Sequence, residues 1–265
     1  MAENEDLKEK LSYRDIFQKK SEKLLIICFK SCYLSLFEKH EEIEMKVAQL
    51  TMKDVKLMDS EIHKMRGFIG NMFEKYDLIH NHGQNGLIYR YPLIQFKTLD
   101  KSPIILAIGE DAIKIFGEIF MTLDHLNIEG KYIPINEKEL TVADYPFGIS
   151  ENTITYEFIH SWIALNQKNY PEYQALETVK EKREMLSRIL AGNLISMSKG
   201  LGYTVPARIE AETTLNTTKV KLKGVDIIGF IGIFRTNFEI PDFFGIGKSV
   251  SRGFGTVKRI NKEGK

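Results

Sequence analysis

Two histidines, His80 and His82, stand one residue apart in the stretch DLIHNHGQNGLIYRY, just before the turn-forming letters GQNG. If the stretch is extended, both imidazoles leave the same face of the chain and share one pocket. An imidazole has a pKa of about 6.5, which suits it to proton transfer at neutral pH. Three roles are open: general acid and base, metal ligands with Asp77 as the only nearby carboxylate, or a structural pair without chemistry.

RNA is a substrate on which such a pair acts without a metal. A base removes the proton of a 2′-hydroxyl, the oxygen attacks the adjacent phosphorus, and an acid protonates the departing 5′-oxygen. The products are a 2′,3′-cyclic phosphate and a 5′-hydroxyl, and DNA is inert because it lacks the attacking group. Tyr89 and Tyr91 on the next predicted strand alternate to one face, where they either orient or protonate the reacting groups or are ordinary strand aromatics.

A second unusual stretch, GIGKSVSRGFGTVKR at 245–259, combines four glycines with four cationic side chains. Glycine lets a backbone turn tightly and approach a ligand closely, and the cations beside it indicate an anion. Two known phosphate loops do not fit. A Walker A loop requires glycine where this chain has Asp242, and a dinucleotide fingerprint requires it at Val250. A glycine-rich turn between two strands is the simpler alternative.

The charge of the whole chain does not by itself indicate a nucleic-acid protein. The 265 residues hold 37 Lys and Arg against 36 Asp and Glu, for a net charge of +1. The segment 241–265 differs, with six basic residues opposed only by Asp242 and Glu263. Any nucleic-acid site must therefore depend on local charge, and this basic end is the place to expect it.

The first 44 residues differ in pattern from the rest of the chain. Cys28 and Cys32 lie in the apolar run 24–37, which Lys30 interrupts and which is too short to span a membrane. Two cysteines are too few for a disulfide framework, so we expect reduced thiols in a cytoplasmic protein. Because an alternating pattern opens at Met45, residues 1–44 are predicted to be an extension or a misplaced start.

Hydrophobic periodicity predicts an α+β fold in two halves. The first half reads in the order β-α-β-β-α-β, the ferredoxin-like arrangement. Its predicted elements are strand 45–53, helix 60–74, strands 87–97 and 103–109, helix 110–123, and a last strand or hairpin at 125–135. The second half is predicted as strand 153–165, helix 175–202, strands 203–224 and 225–241, and a final strand in FGTVKRI.

Several of these segments together resemble a known family. They are RGFIGNMF (66–73), LIHNHGQNGLIYRYPLIQFK (78–97), YEFIHSWIALNQKNY (156–170), GNLISMSKGLGY (192–203) and GIGKSVSRGFGTVKRI (245–260). The combination resembles the CRISPR repeat-processing endoribonucleases, and among them the b branch of the Cas family numbered six. The resemblance covers roughly residues 45–261, and the glycine-rich motif before the last strand also marks the wider repeat-associated RNA-binding superfamily.

The resemblance implies two tandem ferredoxin-like (βαββαβ) domains of antiparallel sheets, with helices on one face, and metal-independent cleavage of CRISPR precursor RNA within its repeats. The domains would be 45–140, with the catalytic histidines, and 141–265, with the glycine-rich RNA-binding loop. Predicted partners are the repeat RNA, a second copy of the chain in a homodimer, and other CRISPR-associated proteins that receive the guide RNA. No metal or other cofactor is predicted.

The resemblance also assigns residues. His82 is expected to be the principal proton-transfer group, with His80 assisting and Tyr89 as a third catalytic residue. The predicted RNA-binding residues are Gly245, Gly247, Lys248, Ser249, Ser251, Arg252, Gly253, Phe254, Gly255, Lys258 and Arg259. Two other functions remain open: a non-catalytic RNA-binding scaffold of the same superfamily, and a metal-dependent nuclease.

Overall fold

The computed structural model describes residues 43–73, Tyr76, the backbone of 82–83 and 86–87, and residues 91–260. Residues 1–42, and with them the two cysteines, lie outside the described residues. Among the helices of the described part, none is both long and apolar enough to cross a membrane.

The first half of the fold is a four-stranded antiparallel sheet with two helices on one face. Along the chain it runs β1 (Ile43–Met52), α1 (Ile62–Met72), β4 (Ile94–Leu99), β5 (Ser102–Ile108), α2 (Glu110–Thr122) and the beginning of β8 (Lys138–Trp162). Between α1 and β4, the short strands β2 (His82–Gly83) and β3 (Gly86–Leu87) form a sheet of their own. The strands of the main sheet lie in the order β4-β5-β1-β8, and every neighbouring pair is antiparallel. This is the ferredoxin-like order, in which each helix carries the chain over the sheet to a strand two positions away.

Apolar stripes on both helices explain why they pack on this face. Met65 and Ile69 of α1 and Phe116 and Ile119 of α2 are buried in one cluster with the sheet residues Leu50, Phe96 and Ile105. The acidic residues Glu110 and Asp111 in the first turn of α2 favour the helix at its positive end.

The segment 125–135, predicted as a last strand or hairpin of this half, is a hairpin outside the main sheet. It consists of β6 (His125–Ile128) and β7 (Lys131–Pro134). Glu129 and Gly130 both have positive φ, as a two-residue hairpin turn requires. Because the hairpin closes on itself, the fourth strand of the sheet is instead the first ten residues of β8.

The second half shares the long strand β8 with the first. It continues through α3 (Asn169–Ala175), α4 (Val179–Gly200), β9 (Ala211–Leu222), β10 (Val225–Glu239) and β11 (Val257–Arg259). The strand order is β11-β8-β10-β9, with Phe158 of β8 paired on its two edges to Val257 and Gly232. The order is again ferredoxin-like, except that residues 240–256 stand where the second helix would be.

The β8 strand turns from one half to the other at Gly148, which has a φ of 130°. A Cβ there would lie 2.6 Å from a ring carbon of Tyr203, so only glycine fits. Beyond this point the core of the second half is aromatic, and the rings of Phe158 and Trp162 stack 5.3 Å apart. The prediction of two ferredoxin-like halves is confirmed, and one continuous strand joins them.

Candidate functional site

The structure describes only part of the predicted catalytic segment. His80 and Tyr89 lie outside the described residues. For His82 the backbone is described, as part of β2, which pairs antiparallel with β3. His82 pairs with Leu87 and Gly83 with Gly86, and the two residues between these strands lie outside the described residues.

Tyr91, where the described chain resumes, is half-buried and packs against the second half of the fold. Its hydroxyl donates a 2.8 Å hydrogen bond to the carbonyl of Gly245, and its Cβ lies where a side chain at Gly200 would project. Burial raises the pKa of Tyr91 well above its ordinary value. The hydroxyl therefore stays protonated and joins the two halves, which favours the ordinary structural role over proton transfer for this tyrosine.

Three of the predicted RNA-binding glycines have internal partners. The N–H groups of Gly245, Gly253 and Gly255 donate to the Gln95 side chain, the Val250 carbonyl and the Ser161 carbonyl, at 3.1, 3.2 and 2.9 Å. A Cβ at Gly255 would overlap the carbonyl oxygen of Ile246. These glycines let the segment fold tightly against strands of both halves, and a contact of their N–H groups with RNA would require internal hydrogen bonds to break.

Between these packed glycines the chain turns outward. We call residues Gly247 to Ser251 the exposed arc. Gly247 and Lys248 are exposed, Ser249 and Ser251 are half-buried, and the side chain of Val250 between the two serines is buried. The N–H groups of the exposed arc donate to no residue that the structure describes. Gly247 and Ser249 have φ values of 87° and 61°, and such alternating turns direct successive N–H groups toward one side, where they bind anions.

The remaining predicted RNA-binding residues differ in what surrounds them. Arg252 and Phe254 are half-buried, and Lys258 is exposed opposite Glu157 on β8. Arg259 is held by acidic partners, since its Nη1 lies 3.0 Å from Glu239 Oε2 and its backbone N–H donates to Asp242. Lys248 and Arg252 are therefore the cations of this segment best placed to meet an anion from solvent.

A groove of about 700 Å³ runs beside the exposed arc along one face of α4. Its wall consists of small or polar helix residues facing Tyr91, Pro92 and Gly247. The helix residues are Gly192, Asn193, Ser196, Met197, Lys199 and Gly200. Next to Gly247, Trp162 is fully buried, and its indole N–H has no hydrogen-bond partner among the residues described.

The site also contains ionisable groups that the sequence patterns did not single out. Lys97 of β4 is fully buried, its Nζ has no described hydrogen-bond partner, and burial lowers its pKa to about 7.

On β8, His160 Nε2 lies 3.2 Å from Thr98 Oγ1 and 3.3 Å from Asp59 Oδ1. The pKa of Asp59 is lower than usual, mainly because its carboxylate accepts a hydrogen bond from His160.

Both halves of the fold match models of one family. The Cas6b N-terminal domain matches residues 43–145, and the Cas6b C-terminal domain matches residues 148–260. The chain belongs to the Cas6b family.

Solved Cas6b structures resemble this fold closely. One crystal structure of Cas6b is 34% identical to this chain, with a TM-score of 0.79. The match covers 82% of this chain and 100% of the chain in that structure. A crystal structure described as a CRISPR RNA processing endoribonuclease Cas6b is 31% identical, with a TM-score of 0.68 and the same coverage. An uncharacterized protein of Methanocaldococcus jannaschii is 44% identical over 147 residues, which are 55% of this chain and 99% of that protein.

Within this Cas6b fold, the glycine-rich segment contacts elements of the first half rather than standing apart as a loop. The one-turn 3₁₀ helix Val250–Arg252 packs against β4 and α1. The Gly245 carbonyl accepts a hydrogen bond from Tyr91, and the Gly245 N–H donates one to Gln95. No periodicity predicted Gln95 or Lys97 as site residues, because both read as ordinary positions of a strand. The only available signal was their polar character in a strand whose other residues are mostly apolar.

Proposed function

We propose that this Cas6b chain is a metal-independent endoribonuclease that cuts CRISPR precursor RNA within its repeats. The O2′–phosphorus bond forms while the phosphorus–O5′ bond breaks, leaving a 2′,3′-cyclic phosphate and a 5′-hydroxyl. His82 is the principal proton-transfer group, His80 assists it, and Tyr89 orients or protonates the reacting oxygens. One group accepts the proton of the 2′-hydroxyl and another donates a proton to the 5′-oxygen, so no metal is required.

The family match over both halves carries this proposal. It is supported by the exposed arc, whose N–H groups donate to no residue in the described part of the chain and lie beside Lys248 and the groove along α4. Backbone N–H groups and cations of this kind bind phosphate oxygens without reading the base. Affinity for RNA is therefore expected to fall steeply with salt.

The proposed RNA-binding residues divide into two groups by their surroundings. Gly247, Lys248, Ser249, Ser251 and Arg252 contact the backbone directly, with Phe254 and Lys258 at the margin. Gly245, Gly253 and Gly255 shape the segment, and Arg259 fastens the last strand to Glu239. A homodimer, transfer of the guide RNA to other CRISPR-associated proteins and a cytoplasmic location belong to the same proposal.

Two alternatives make different predictions. A scaffold subunit would bind repeat RNA through the exposed arc and cut nothing. A metal-dependent nuclease would need a cluster of ligands. Within 43–73 and 91–260 no three His, Cys, Asp or Glu side chains lie together as such a cluster, while the side chains of His80 and His82 lie outside those ranges.

One experiment separates the three functions. End-labelled repeat RNA is incubated with the full chain in excess EDTA, beside a copy with a 2′-deoxy nucleotide at the cleavage site. We expect cutting that survives EDTA and stops at the deoxy position. Cutting that needs an added divalent metal would establish the metal-dependent nuclease, and binding without cutting in either condition would establish the scaffold.

The histidine roles need a matched control. We expect His80→Ala with His82→Ala to bind the deoxy RNA as the parent does but to cut the natural RNA at least about 100-fold more slowly. His63→Ala, which removes an exposed imidazole on α1, is the control and should cut at the parent rate. Equal cutting by the double variant would place the chemistry elsewhere.

A further inference from the structure

Small residues form the face of α4 that borders the groove beside the exposed arc. Gly192, Ser196 and Gly200 follow one another at intervals of four and therefore lie on the same face of the helix. A Cβ at Gly200 would lie 2.6 Å from Tyr91 Cβ, so Tyr91 packs directly on the helix there. A Cβ at Gly192 would meet no atom within 4 Å. The groove is therefore open above Gly192 and bounded by Tyr91 at Gly200.

The groove contains a hydrogen-bond acceptor in a fixed orientation, Asn193 Oδ1. Asn193 Nδ2 donates a 2.6 Å hydrogen bond to the Ile189 carbonyl one turn earlier in α4. This bond fixes the orientation of the amide, because only the nitrogen of the amide can donate to a carbonyl. Within the described part of the chain, no group donates to Asn193 Oδ1. The oxygen is therefore available to a donor that enters the groove.

A buried donor without a partner lies close to this acceptor. Trp162 is fully buried, and its indole N–H donates to no described residue. A Cβ at Gly247 would lie 2.5 Å from Trp162 Nε1 and 2.8 Å from Asn193 Oδ1, so both atoms face the same glycine of the groove wall. A buried donor that is left unpaired is unfavourable. A ligand with an acceptor would satisfy it when Gly247, which belongs to the exposed arc, moves aside.

We propose that this groove binds one unpaired base of the RNA, with the phosphate of the same nucleotide on the exposed arc. The edge of every nucleobase carries a donor next to an acceptor, which matches Asn193 Oδ1 and the Trp162 N–H. The identity of the ligand as repeat RNA rests on the proposed function. The resemblance assigned no role to Gly192, Asn193 or Trp162.

The size and lining of the groove fit a base. Its volume of about 700 Å³ lies in the range of small-molecule pockets, roughly 300–1,000 Å³. Pro92 and Met197 give it apolar surface on which the flat face of a base can pack, and Gly192 lets the base approach the helix closely. Sequence-specific recognition of RNA usually depends on unpaired bases held in this way.

The groove is tested with repeat RNA that carries a 2′-deoxy nucleotide at the cleavage site, so that binding is measured without cutting. Gly192→Leu fills the open part of the groove and should weaken binding by at least about tenfold. Gly117→Leu, at an exposed glycine of α2 that also has no atom within 4 Å, is the control and should bind as the parent does. Because leucine is the better helix former, neither variant should melt below the parent. Equal binding by the two variants would overturn the proposal.

A scan with single abasic positions then identifies the base. At one position of the repeat, the loss from the missing base and the loss from Gly192→Leu should not add, because either change removes the same contact. Asn193→Leu removes the acceptor at similar volume, should weaken binding roughly tenfold, and should fail to add at the same position. Losses that add at every position, with the parent melting temperature retained, would overturn the groove as a base site.

Nucleoside monophosphates separate the groove from the proposed function. Each carries a base, a ribose and a phosphate, which are the groups that the groove and the exposed arc would hold. At millimolar concentration, at least one of AMP, CMP, GMP and UMP should raise the melting temperature of the parent and of Gly117→Leu but not of Gly192→Leu. That result supports the base site even if repeat RNA is not cut. Equal stabilisation of Gly192→Leu and the parent, or no stabilisation of the parent by any of the four, would overturn it.

Discussion

Tyr91 and Gly245 are 154 residues apart in the chain and are joined by a 2.8 Å hydrogen bond from the tyrosine hydroxyl to the glycine carbonyl. The bond ties the residue at which the described chain resumes after β3 to the first residue of the glycine-rich segment. Gln95, four residues further on, holds the N–H of the same glycine at 3.1 Å. One glycine is thus fixed through both of its backbone polar groups by the first half of the fold.

Removal of the hydroxyl should affect protein stability at Tyr91 and the cleavage rate at Tyr89. Tyr91→Phe leaves the buried Gly245 carbonyl without its donor and should lower the free energy of unfolding by about 1–3 kcal/mol, with little change in cleavage rate below the melting range. Tyr89→Phe should slow cleavage and leave stability unchanged. Urea denaturation and single-turnover cleavage at 25 °C test both. Slower cleavage by Tyr91→Phe at full folding would give its hydroxyl a catalytic role.

Packing within the protein requires glycine at position 255, whether or not RNA is bound. Gly255→Ala places a Cβ against the Ile246 carbonyl at a φ of 65° and should lower the free energy of unfolding by more than about 2 kcal/mol. The control is Gly67→Ala on the exposed face of α1, where no atom lies within 4 Å of the new methyl group. This substitution should raise the free energy of unfolding by up to about 1 kcal/mol. Thermal unfolding gives both values. A Gly255→Ala protein as stable as the parent would contradict the packing role.

Lys97 makes stability depend on pH. Its pKa is about 7 in the folded protein, below the 10.5 of a free lysine, because burial disfavours the ammonium. Between pH 7 and 10.5 the unfolded chain therefore holds a proton that the folded chain lacks. The free energy of unfolding rises with pH across this window, and that gain is lost as the pH falls toward 7.

Lys97→Met should remove this dependence. The variant should be more stable than the parent at pH 7, by about 3 kcal/mol, and the difference should shrink by pH 9. Lys114→Met, at an exposed position of α2, controls for the general effect of losing a charge. Urea denaturation at pH 7, 8 and 9 tests it, and parallel pH profiles for the parent and Lys97→Met would show that Lys97 is not a buried neutral amine.

The point at which the functional chain begins can be tested by truncation. A chain that starts at Glu42 keeps all of β1 and should cut repeat RNA at the parent rate if residues 1–41 are an extension. A chain that starts at Met45 lacks Ile43 and Glu44, which pair with Phe147 and Pro146 of β8, and should lose about 1–2 kcal/mol of stability. Loss of folding or cutting by the longer chain would show that the extension is required.

Much of the fold could be predicted from periodicity. The helices predicted at 110–123 and 175–202 are present as Glu110–Thr122 and Val179–Gly200, and the strand predicted at 45–53 is Ile43–Met52. The pattern of 125–135 left a last strand or a hairpin open; the hairpin is present, and 138–147 supply the fourth strand of the first half. Only strand pairing distinguishes a hairpin that closes on itself from a strand that joins β1.

The sequence by itself determined the types of the elements, the two ferredoxin-like halves and the family. These depend on local spacing and on motifs that are contiguous in the chain. The tertiary structure alone decided which glycines are internally bonded and which residues form the exposed arc, and that Tyr91, Gln95 and Lys97 lie under the glycine-rich segment. The physical reason is that hydrogen bonds and buried contacts between residues far apart in the chain arise only when the two halves pack together.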